Sequence, residues 1–561
     1  MNPTLNIKDV LPESVLIPAI ESAGTHLLGA RTVEFSSDVN GTYSPSTQDR
    51  IMFNISSNSE FIDFQKSYLQ ADLTTTLSFE GADCSSRYLA EGGLNACFRE
   101  VRLETVGGVL IDKIDRYNKF YSLFSDIFHE PSYVESHLVA SGDSMDYEEK
   151  STGLAQYKPL TGTSFGYDAT GGASEQLLTG VSSQFVQQLN VNDIVMATDD
   201  NGANYMGVVI GINSPTTMNV SFGTSDFTAN RLWLVKRDSG VPSMRNQAAS
   251  GGSIKLQTSI LLPFFMLETV FPLFLVNGGL RLVLVLERPE YVLSAPKQVI
   301  SSGYSGADYT ISNAKFVARM IRPAQQLKEV YIQKFKSEGL KYSYLGYSNN
   351  MNIIPAGSTG TQTITVQSSA QSLRHALCFI QDKRAETVSS GTVDAGISTY
   401  TCDSIAQKLK ANVVEWSVEH GSERYPLAGA VDCSHPSNSQ LLVELEKSCE
   451  LYGKQSSHRF KPHQWQSYAR DIAVFEQGAL GGKAESQRLI FGINFSTDPS
   501  PFSGLNSQGH QIIFKPVLGS AYQMTSMAGT AQGTSPLYFH TFLGFDKVLV
   551  LSESAGITTM V

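Results

Sequence analysis

The sequence predicts an all-β protein made of two tandem β-domains, with short helices and one strand-rich insertion in the first domain. Gly accounts for 46 of the 561 residues and charged residues for only 17%, a composition typical of β-proteins with long ordered loops. A chain of this length exceeds one ordinary domain. An apolar, strand-like stretch in the middle of the chain also recurs near its end. The matching segments are Ile254–Arg288, Arg488–Phe495, Gln511–Leu518 and Phe545–Ser552.

The central stretch Ile254–Arg288 is interpreted as two or three strands. Leu262-Pro263 and Asn277-Gly278-Gly279 supply residues that end a strand or accept positive φ. The alternative is a membrane span, since the stretch is long and apolar. Two prolines, Glu268 and the Gly pair interrupt it, which favours a β-core.

The first half begins with an amphipathic arm, residues 1–30, for which two interpretations stay open: a short helix packed under the domain, or an arm that docks on neighbouring molecules. Strands are predicted at Arg31–Phe35, Arg50–Ile55 and Ser67–Phe79. In the last of these, most apolar residues fall on one face, as a half-buried strand requires.

A hairpin followed by a helix occurs once in each half. The first hairpin turns at Gly107-Gly108 and leads into the helix Arg116–Phe128; the second turns at His420-Gly421 and leads into the helix Ser439–Tyr452. Closing strands follow in both halves. This repeated order predicts two copies of one fold.

The predicted boundaries follow from that repeat. The first domain spans 31–295, a linker spans 296–308 and the second domain spans 309–561, beginning with strands at Tyr309–Met320 and Glu329–Phe335.

Residues 146–252, rich in Gly, Ser, Thr and Asn, form an insertion with several short strand patterns. We expect a small β-barrel or tower with its own core; the alternative is a set of loops with no recognition role. The predicted core residues are Ile194, Val209, Ile212, Val220 and Trp233.

Bulk properties narrow the function classes. The formal net charge of −11 argues against a chain whose main task is to grip nucleic acid. Six Cys lie scattered without Cys-x-x-Cys spacing, which predicts reduced thiols rather than a disulfide scaffold. The N-terminus lacks the pattern of a signal peptide, so we expect synthesis in a cell interior.

Two motifs could carry chemistry. Gly162–Gly166 matches the Gly-x-Ser-x-Gly elbow of hydrolases, but loop residues surround Ser164, where the motif needs a strand before it and a helix after it. A zinc site could be assembled from a scattered Cys and His set, although its spacing fits no common zinc module. That set is Cys433, His435, Cys449, His458 and His463.

The sequence therefore predicts no catalytic, cofactor-binding or metal-binding residues. Buried Cys and surface His are the expected roles of the zinc-like set. The acidic residues Asp112, Asp115, Glu444 and Glu446 are expected on solvated faces.

Several phrases resemble the major capsid proteins of double-jelly-roll DNA viruses of the virophage and Polinton-like type. Glu60–Leu73 resembles the family's early strand, and Cys97–Asn118 resembles the hairpin and helix that follow. Phe491–Phe514, with its Ser503-Gly504-Leu505-Asn506 turn, resembles the second jelly roll, and His540–Ser552 resembles its last strand. The insertion 146–252 aligns with no segment of the family's pattern, so the resemblance implies no role for it.

The resemblance implies two tandem jelly-roll sandwiches and a homotrimer of pseudo-hexameric outline, which tiles an icosahedral shell around double-stranded DNA in the virion. The implied partners are neighbouring capsomers, a penton single-jelly-roll protein, and minor capsid or cement proteins, without sequence-specific nucleic-acid binding. The insertion 146–252 is a candidate host-receptor surface. The alternatives are a carbohydrate-binding β-sandwich attachment protein, which should show a signal peptide or disulfides, and a hydrolase that uses Ser164.

Overall fold

The computed structural model describes most of both halves of the chain. The described residues are 27–39, 41–79, 82–83, 88–90, 92–129, 138–142, 158–160, 164–168, 177–183, 185, 194–199, 204–221, 227–236, 253–267, 269–294, 304–383, 408–409, 411–427, 429–433, 440–451, 489–496, 502–525, 531–534, 536–553 and 556–560. Within these ranges no helix combines the length and apolarity needed to cross a membrane.

The first half of the chain contributes eighteen strands and two α-helices among the described residues. Before the insertion lie β1 (Leu27–Ser36), β2 (Arg50–Ile55), β3 (Phe61–Phe79), β4 (Ala82–Asp83), β5 (Tyr88–Leu89), β6 (Phe98–Thr105), β7 (Leu110–Asp115) and helix α1 (Tyr117–Phe128). The insertion holds β8 (Lys158–Pro159), β9 (Ser164–Asp168), β10 (Leu177–Val181), β11 (Ile194–Asp199), β12 (Asn204–Ser214), β13 (Thr217–Ser221) and β14 (Phe227–Lys236). After it come β15 (Ile254–Thr258), β16 (Leu280–Leu286), helix α2 (Pro289–Val292), β17 (Leu293–Ser294) and β18 (Tyr304–Pro323).

The second half begins with helix α3 (Gln325–Ser337). Its strands and its second helix are β19 (Leu340–Ile354), β20 (Gly360–Thr361), β21 (Ile364–Val366), β22 (Leu373–Asp382), β23 (Val413–His420), β24 (Glu423–Tyr425), β25 (Val431–Asp432), α4 (Gln440–Ser448), β26 (Phe491–Asn494), β27 (Ile512–Leu518), β28 (Gln523–Thr525), β29 (Ala531–Thr534), β30 (Leu537–Ser552) and β31 (Gly556–Met560).

Each half folds into a sandwich of two antiparallel sheets with one shared strand order. In the first half, one sheet has the order β1-β18-β3-β15 and the other β2-β16-β6-β7. Lettered B to I along the chain, these eight strands form sheets B-I-D-G and C-H-E-F. In the second half, the orders β19-β30-β22-β26 and β20/β21-β27-β23-β24/β25 repeat that arrangement. This interleaving defines a jelly roll, so the predicted fold class, two tandem jelly rolls, is confirmed.

The predicted turns at the Gly pairs are present, and one glycine shows why. Gly279 has φ +86°, and a Cβ there would lie 2.5 Å from the Ile55 carbonyl oxygen. Both its backbone angle and its close packing exclude a side chain. Between β15 and β16 the chain makes two 3-10 turns, Pro263–Met266 and Leu273–Leu275, so Ile254–Arg288 holds two strands.

The predicted domain boundary at 309 is wrong. β18, which contains Tyr309–Met320, lies between β1 and β3 in the first sandwich. It is the closing strand of the first jelly roll, and helix α3 joins the two rolls. Local pattern identifies a strand but does not say which sheet accepts it, because pairing partners lie far apart in sequence.

The predicted strand Glu329–Phe335 is also wrong, since it lies within helix α3. Leu327, Tyr331 and Phe335 recur every four residues and pack against the core, as the buried stripe of a helix does. Val330 lies outside this stripe and is 51% exposed.

Strand pairing within the insertion closes a ring. Strands β11-β12-β13-β10-β9-β14 pair in that order, β14 pairs back to β11, and β8 adds to β14. A buried cluster separate from the main core fills it, including Phe165, Phe185, Val209 and Val220. The side chains of Ile194, Ile212 and Trp233 lie outside the described residues.

The insertion and helix α3 lie at opposite ends of the first roll. The insertion joins the end of α1 to the start of β15, whereas α3 follows the end of β18, where Leu27 pairs with Pro323. Of the predicted arm 1–30, residues 27–30 already belong to β1, and residues 1–26 lie outside the described residues.

Candidate functional site: the junction between the two jelly rolls

The residues singled out for chemistry are not brought together. Ser164 begins β9 and pairs with Val181 of β10, so it lies in an antiparallel hairpin of the insertion. A hydrolase elbow instead places its serine at a sharp turn from a strand into a helix.

The two described cysteines of the possible zinc site also do not favour metal binding. Cys433 is buried and donates its thiol to the Val431 carbonyl at 3.8 Å. Burial raises the pKa of Cys449 to about 12, which disfavours the thiolate that zinc requires. His435, His458 and His463 lie outside the described residues. The described part of the chain contains no group of three or more His, Cys, Asp or Glu residues arranged to hold a metal ion.

The expectation that all four acidic residues lie on solvated faces is wrong for Asp112 and Glu444. Asp112 is fully buried, and Glu444 is largely buried beside Lys447. Asp112 faces the second jelly roll, so the outer face of β7 is not solvent-exposed there. The burial of Asp112 beside Lys547 therefore identifies the contact between the two rolls as the candidate site.

Aromatic residues form the apolar part of this junction. Phe120 of α1 lies 4.8 Å from the Tyr347 ring and 5.5 Å from the Phe542 ring, centroid to centroid. Phe264 meets Tyr344 edge-on at 5.3 Å. One continuous buried cluster includes residues of both rolls. A junction of this kind holds two domains as a rigid unit.

Lys119 of α1 crosses the junction and is almost fully buried. Its Nζ donates to Gln381 Oε1 at 2.6 Å and lies 3.4 Å from His540 Nε2. Burial, and next the nearby Arg116, hold the pKa of Lys119 well below its usual range. Burial likewise lowers the pKa of His540, and Lys119 lowers it further.

A second buried contact uses Ser122 and Asp126, about one and two helical turns further along α1 than Lys119. Lys408 Nζ lies 2.7 Å from Asp126 Oδ2, and both side chains are 0% exposed. The same ammonium donates to Ser122 Oγ at 2.9 Å. Buried pairs of this type stabilise little over an apolar pair, but they penalise any other alignment.

A third contact uses strands β7 and β30. Lys547 Nζ lies 3.5 Å from Asp112 Oδ1 and donates to the Ile111 carbonyl at 3.2 Å. Tyr344 donates its hydroxyl to the same carbonyl at 2.6 Å. Asp112 also accepts from the Phe264 backbone N–H at 3.1 Å. The three contacts together fix how one roll is aligned against the other.

Strand β22 shows how completely the junction is enclosed, since all ten of its residues are buried. One face lines the interior of the second sandwich, and the other meets α1 through Gln381. Sequence reasoning missed Lys119, Gln381, Lys408 and His540. Gln381 and His540 gave a signal, because each is a polar residue in a run that is otherwise apolar, whereas Lys119 and Lys408 lie in segments of mixed polarity.

Within the second roll, the Ser503-Gly504-Leu505-Asn506 turn is bound to the start of β22. Gly504 donates its backbone N–H to Ser372 Oγ at 3.0 Å, and Ser372 donates to Asp546 Oδ2 at 2.5 Å. Leu505 exchanges two backbone hydrogen bonds of 2.8 Å with Leu373. A Cβ on Gly504 would lie 2.5 Å from the Leu373 carbonyl oxygen, so the turn requires glycine at this position.

Replacing Gly504 by alanine is expected to destabilise the second roll by about 2–3 kcal/mol, because backbone on both sides must move. Urea unfolding of the purified protein measures this. Gly107→Ala is the control, since the nearest atom to its added Cβ is 3.6 Å away. Equal urea midpoints for Gly504→Ala and Gly107→Ala would contradict the conclusion that packing against Leu373 requires glycine at position 504.

His375, behind this turn, predicts an acid sensitivity. Burial and the neighbouring Arg374 lower its pKa to about 4, and its Nε2 lies 3.1 Å from the Tyr347 hydroxyl. Below pH 6.5 the unfolded chain gains a proton here that the folded chain does not. Stability is therefore lost as the pH falls from 6.5 to 4, by on the order of 3 kcal/mol from this group.

Urea midpoints at pH 7 and pH 4.5 measure that loss. His375→Gln should lose less stability than the unaltered protein between these two pH values. The same loss in both proteins would mean that other groups carry the pH dependence.

Comparisons with known proteins were made at the level of sequence and of structure. No protein-family model and no curated protein matches the sequence. The chain is similar to the Sputnik virophage structure determined by cryo-EM, at 11% identity and TM-score 0.48, covering 96% of this chain and 89% of that one. It is also similar to the Faustovirus major capsid protein (9%, TM-score 0.44, 93% and 90%). The mavirus major capsid protein is a further likeness (10%, TM-score 0.42, 94% and 90%).

The fold itself follows from the strand order of the two sandwiches. Each has sheets B-I-D-G and C-H-E-F, and the residues of α1, β7, β22 and β30 join them into one body. The chain has the double-jelly-roll fold.

Proposed function

We propose that this chain is the major capsid protein of an icosahedral double-stranded DNA virus. It acts as a structural subunit of the virion and catalyses no reaction. The observation that carries the proposal is the junction: two complete jelly rolls of equal strand order share one buried core. The sequence segments that resemble capsid proteins occur in the same order along this chain as in that family, and they support the same proposal.

The junction suits a shell because it turns two sandwiches into one wall unit. Closed sandwiches leave few open sheet edges. Three copies around a threefold axis place six sandwiches in a ring, which tiles like a hexagon. The proposed partners are two further copies, neighbouring trimers, a penton jelly-roll protein and minor capsid proteins.

The opposite placement of the insertion and of α3 suggests an orientation. The barrel within 146–252 would face outward, where it serves trimer contacts or host attachment, and the arm 1–30 would lie at the inner end. Limited proteolysis of intact particles should cut within 146–252 and leave 1–30 intact. Cleavage of the arm with protection of the insertion would reverse the orientation.

Negative-stain microscopy of the purified protein tests the function directly. We expect particles of hexagonal outline, with three times the 61.1 kDa mass of one chain. A stable monomer that forms no such particles would overturn the proposal. Labelling of Ser164 by a broad serine-hydrolase probe would contradict the absence of catalysis.

A further inference from the structure

We propose that the end of the molecule around helix α3 carries a site that binds the phosphates of double-stranded DNA. The proposal rests on the proposed function for the source of the DNA, which is the packaged genome. The site consists of Arg31, Arg322, Lys328 and Lys336, called here the basic cluster.

Charge is distributed unevenly between the two ends of the first roll. Residues 319–341 contain six Lys or Arg and two Glu, a net charge of +4, in a chain of net −11. Residues 146–252, at the other end, contain six Lys or Arg and ten Asp or Glu, a net charge of −4. Local positive potential on an acidic protein attracts polyanions to one end only.

Three cations converge on the loop between β2 and β3. Arg31 binds Glu60 with two hydrogen bonds, from Nε at 2.8 Å and from Nη2 at 2.9 Å. Lys328 Nζ donates to the Asn58 carbonyl at 3.2 Å. The Arg31 hydrogen bonds hold the pKa of Glu60 low, and the charge of Arg322 adds to this effect. Arg31 and Arg322 act on the Glu60 carboxylate, and Lys328 is bound to a carbonyl of the same loop, so three cations outnumber the one carboxylate of this loop.

These cations are presented to solvent. The Arg31 side chain is 60% exposed, whereas that of Glu60 is 3% exposed, and Arg322 and Lys336 are exposed. Lys336 lies near the far end of α3, roughly 16 Å along the helix axis from its start at 1.5 Å per residue. The cluster thus reaches separate phosphates of one duplex rather than a single small anion.

The helix favours DNA over an anionic membrane. An interfacial helix needs a broad apolar face. The exposed residues of α3 are instead mostly amides, charges and a hydroxyl, with Val330 as the only exposed large apolar side chain of this helix. Amides and hydroxyls position nucleic-acid backbones through hydrogen bonds to phosphate.

The test is fluorescence anisotropy of a labelled 30-base-pair duplex with full-length protein at increasing NaCl. Four phosphate contacts predict a slope of about −3.6 for log K against log salt. Arg322→Gln with Lys336→Gln removes two exposed cations and should reduce the magnitude of that slope by about 2. Affinity at low salt should fall at least tenfold.

Lys255→Gln is the control and removes one exposed cation outside the basic cluster, since Lys255 lies on β15 opposite Asp72, near the middle of β3. An unchanged slope in the double variant, or an equal loss in the control, would overturn the site. So would binding to phosphatidylcholine–phosphatidylserine vesicles that depends on Arg322 and Lys336 without any binding of the duplex. Microscopy of the same samples separates this outcome from the shell function, because hexagonal particles can form with or without DNA binding.

Discussion

Replacing Lys408 by methionine is expected to reduce the free energy of unfolding by about 3–5 kcal/mol, one of the two largest effects predicted for this chain. Methionine fills much of the same volume but leaves Asp126 buried without the ammonium at 2.7 Å. An uncompensated charge in a fully buried site is strongly destabilising. Urea unfolding of purified protein at pH 7 measures the loss.

Two further variants make this test specific. Lys408→Met with Asp126→Asn removes both charges and should recover at least half of the loss. Lys315→Met removes a surface pair, Lys315 with Glu34 at 2.6 Å, whose side chains are 37% and 54% exposed; it should cost at most about 1 kcal/mol. A double variant no more stable than Lys408→Met alone would show that the unpaired charge of Asp126 is not the cause of the loss.

The elements that sequence predicted well are those set by local pattern. The Gly107-Gly108 turn, helix α1 and the closing strands β27 and β30 all lie close to where periodicity and turn residues placed them. Their positions along the chain follow from turn residues and from the spacing of apolar residues within each segment, although the partners of β27 and β30 are distant in sequence. The repeated order of hairpin, helix and closing strands also shows in the sequence, because both rolls use the same strand order.

The junction was not predictable in the same way. Lys119 meets Gln381 across 262 positions, and neither residue interrupts its local pattern enough to identify the other. The domain boundary at 309 was predicted wrongly for a related reason, because β18 pairs with strands more than 200 residues earlier. Contacts of this range follow from topology, and local propensity does not encode them.

Replacing Phe120 by alanine is the second substitution with a large expected effect. It should reduce the free energy of unfolding by about 3–5 kcal/mol. The side chain is 1% exposed and contacts the rings of Tyr347 and Phe542 in the other roll. Its removal loses the free energy of transferring the ring out of water. It also leaves a cavity in the junction that the surrounding residues cannot close. Because this cavity lies between the rolls, the variant should also loosen β22, whose outer face meets α1.

Hydrogen–deuterium exchange measured by mass spectrometry distinguishes a loosened junction from general destabilisation. In Phe120→Ala, peptides covering 373–382 should exchange faster than in the unaltered protein under native conditions. Phe165→Ala is the matched control, since it deletes the same fully buried side chain from the separate core of the insertion. It should speed exchange within 164–236 and leave 373–382 unchanged. Faster exchange of 373–382 in both variants would mean that the insertion and the two rolls unfold as one unit, and that the junction is not an independent determinant of rigidity.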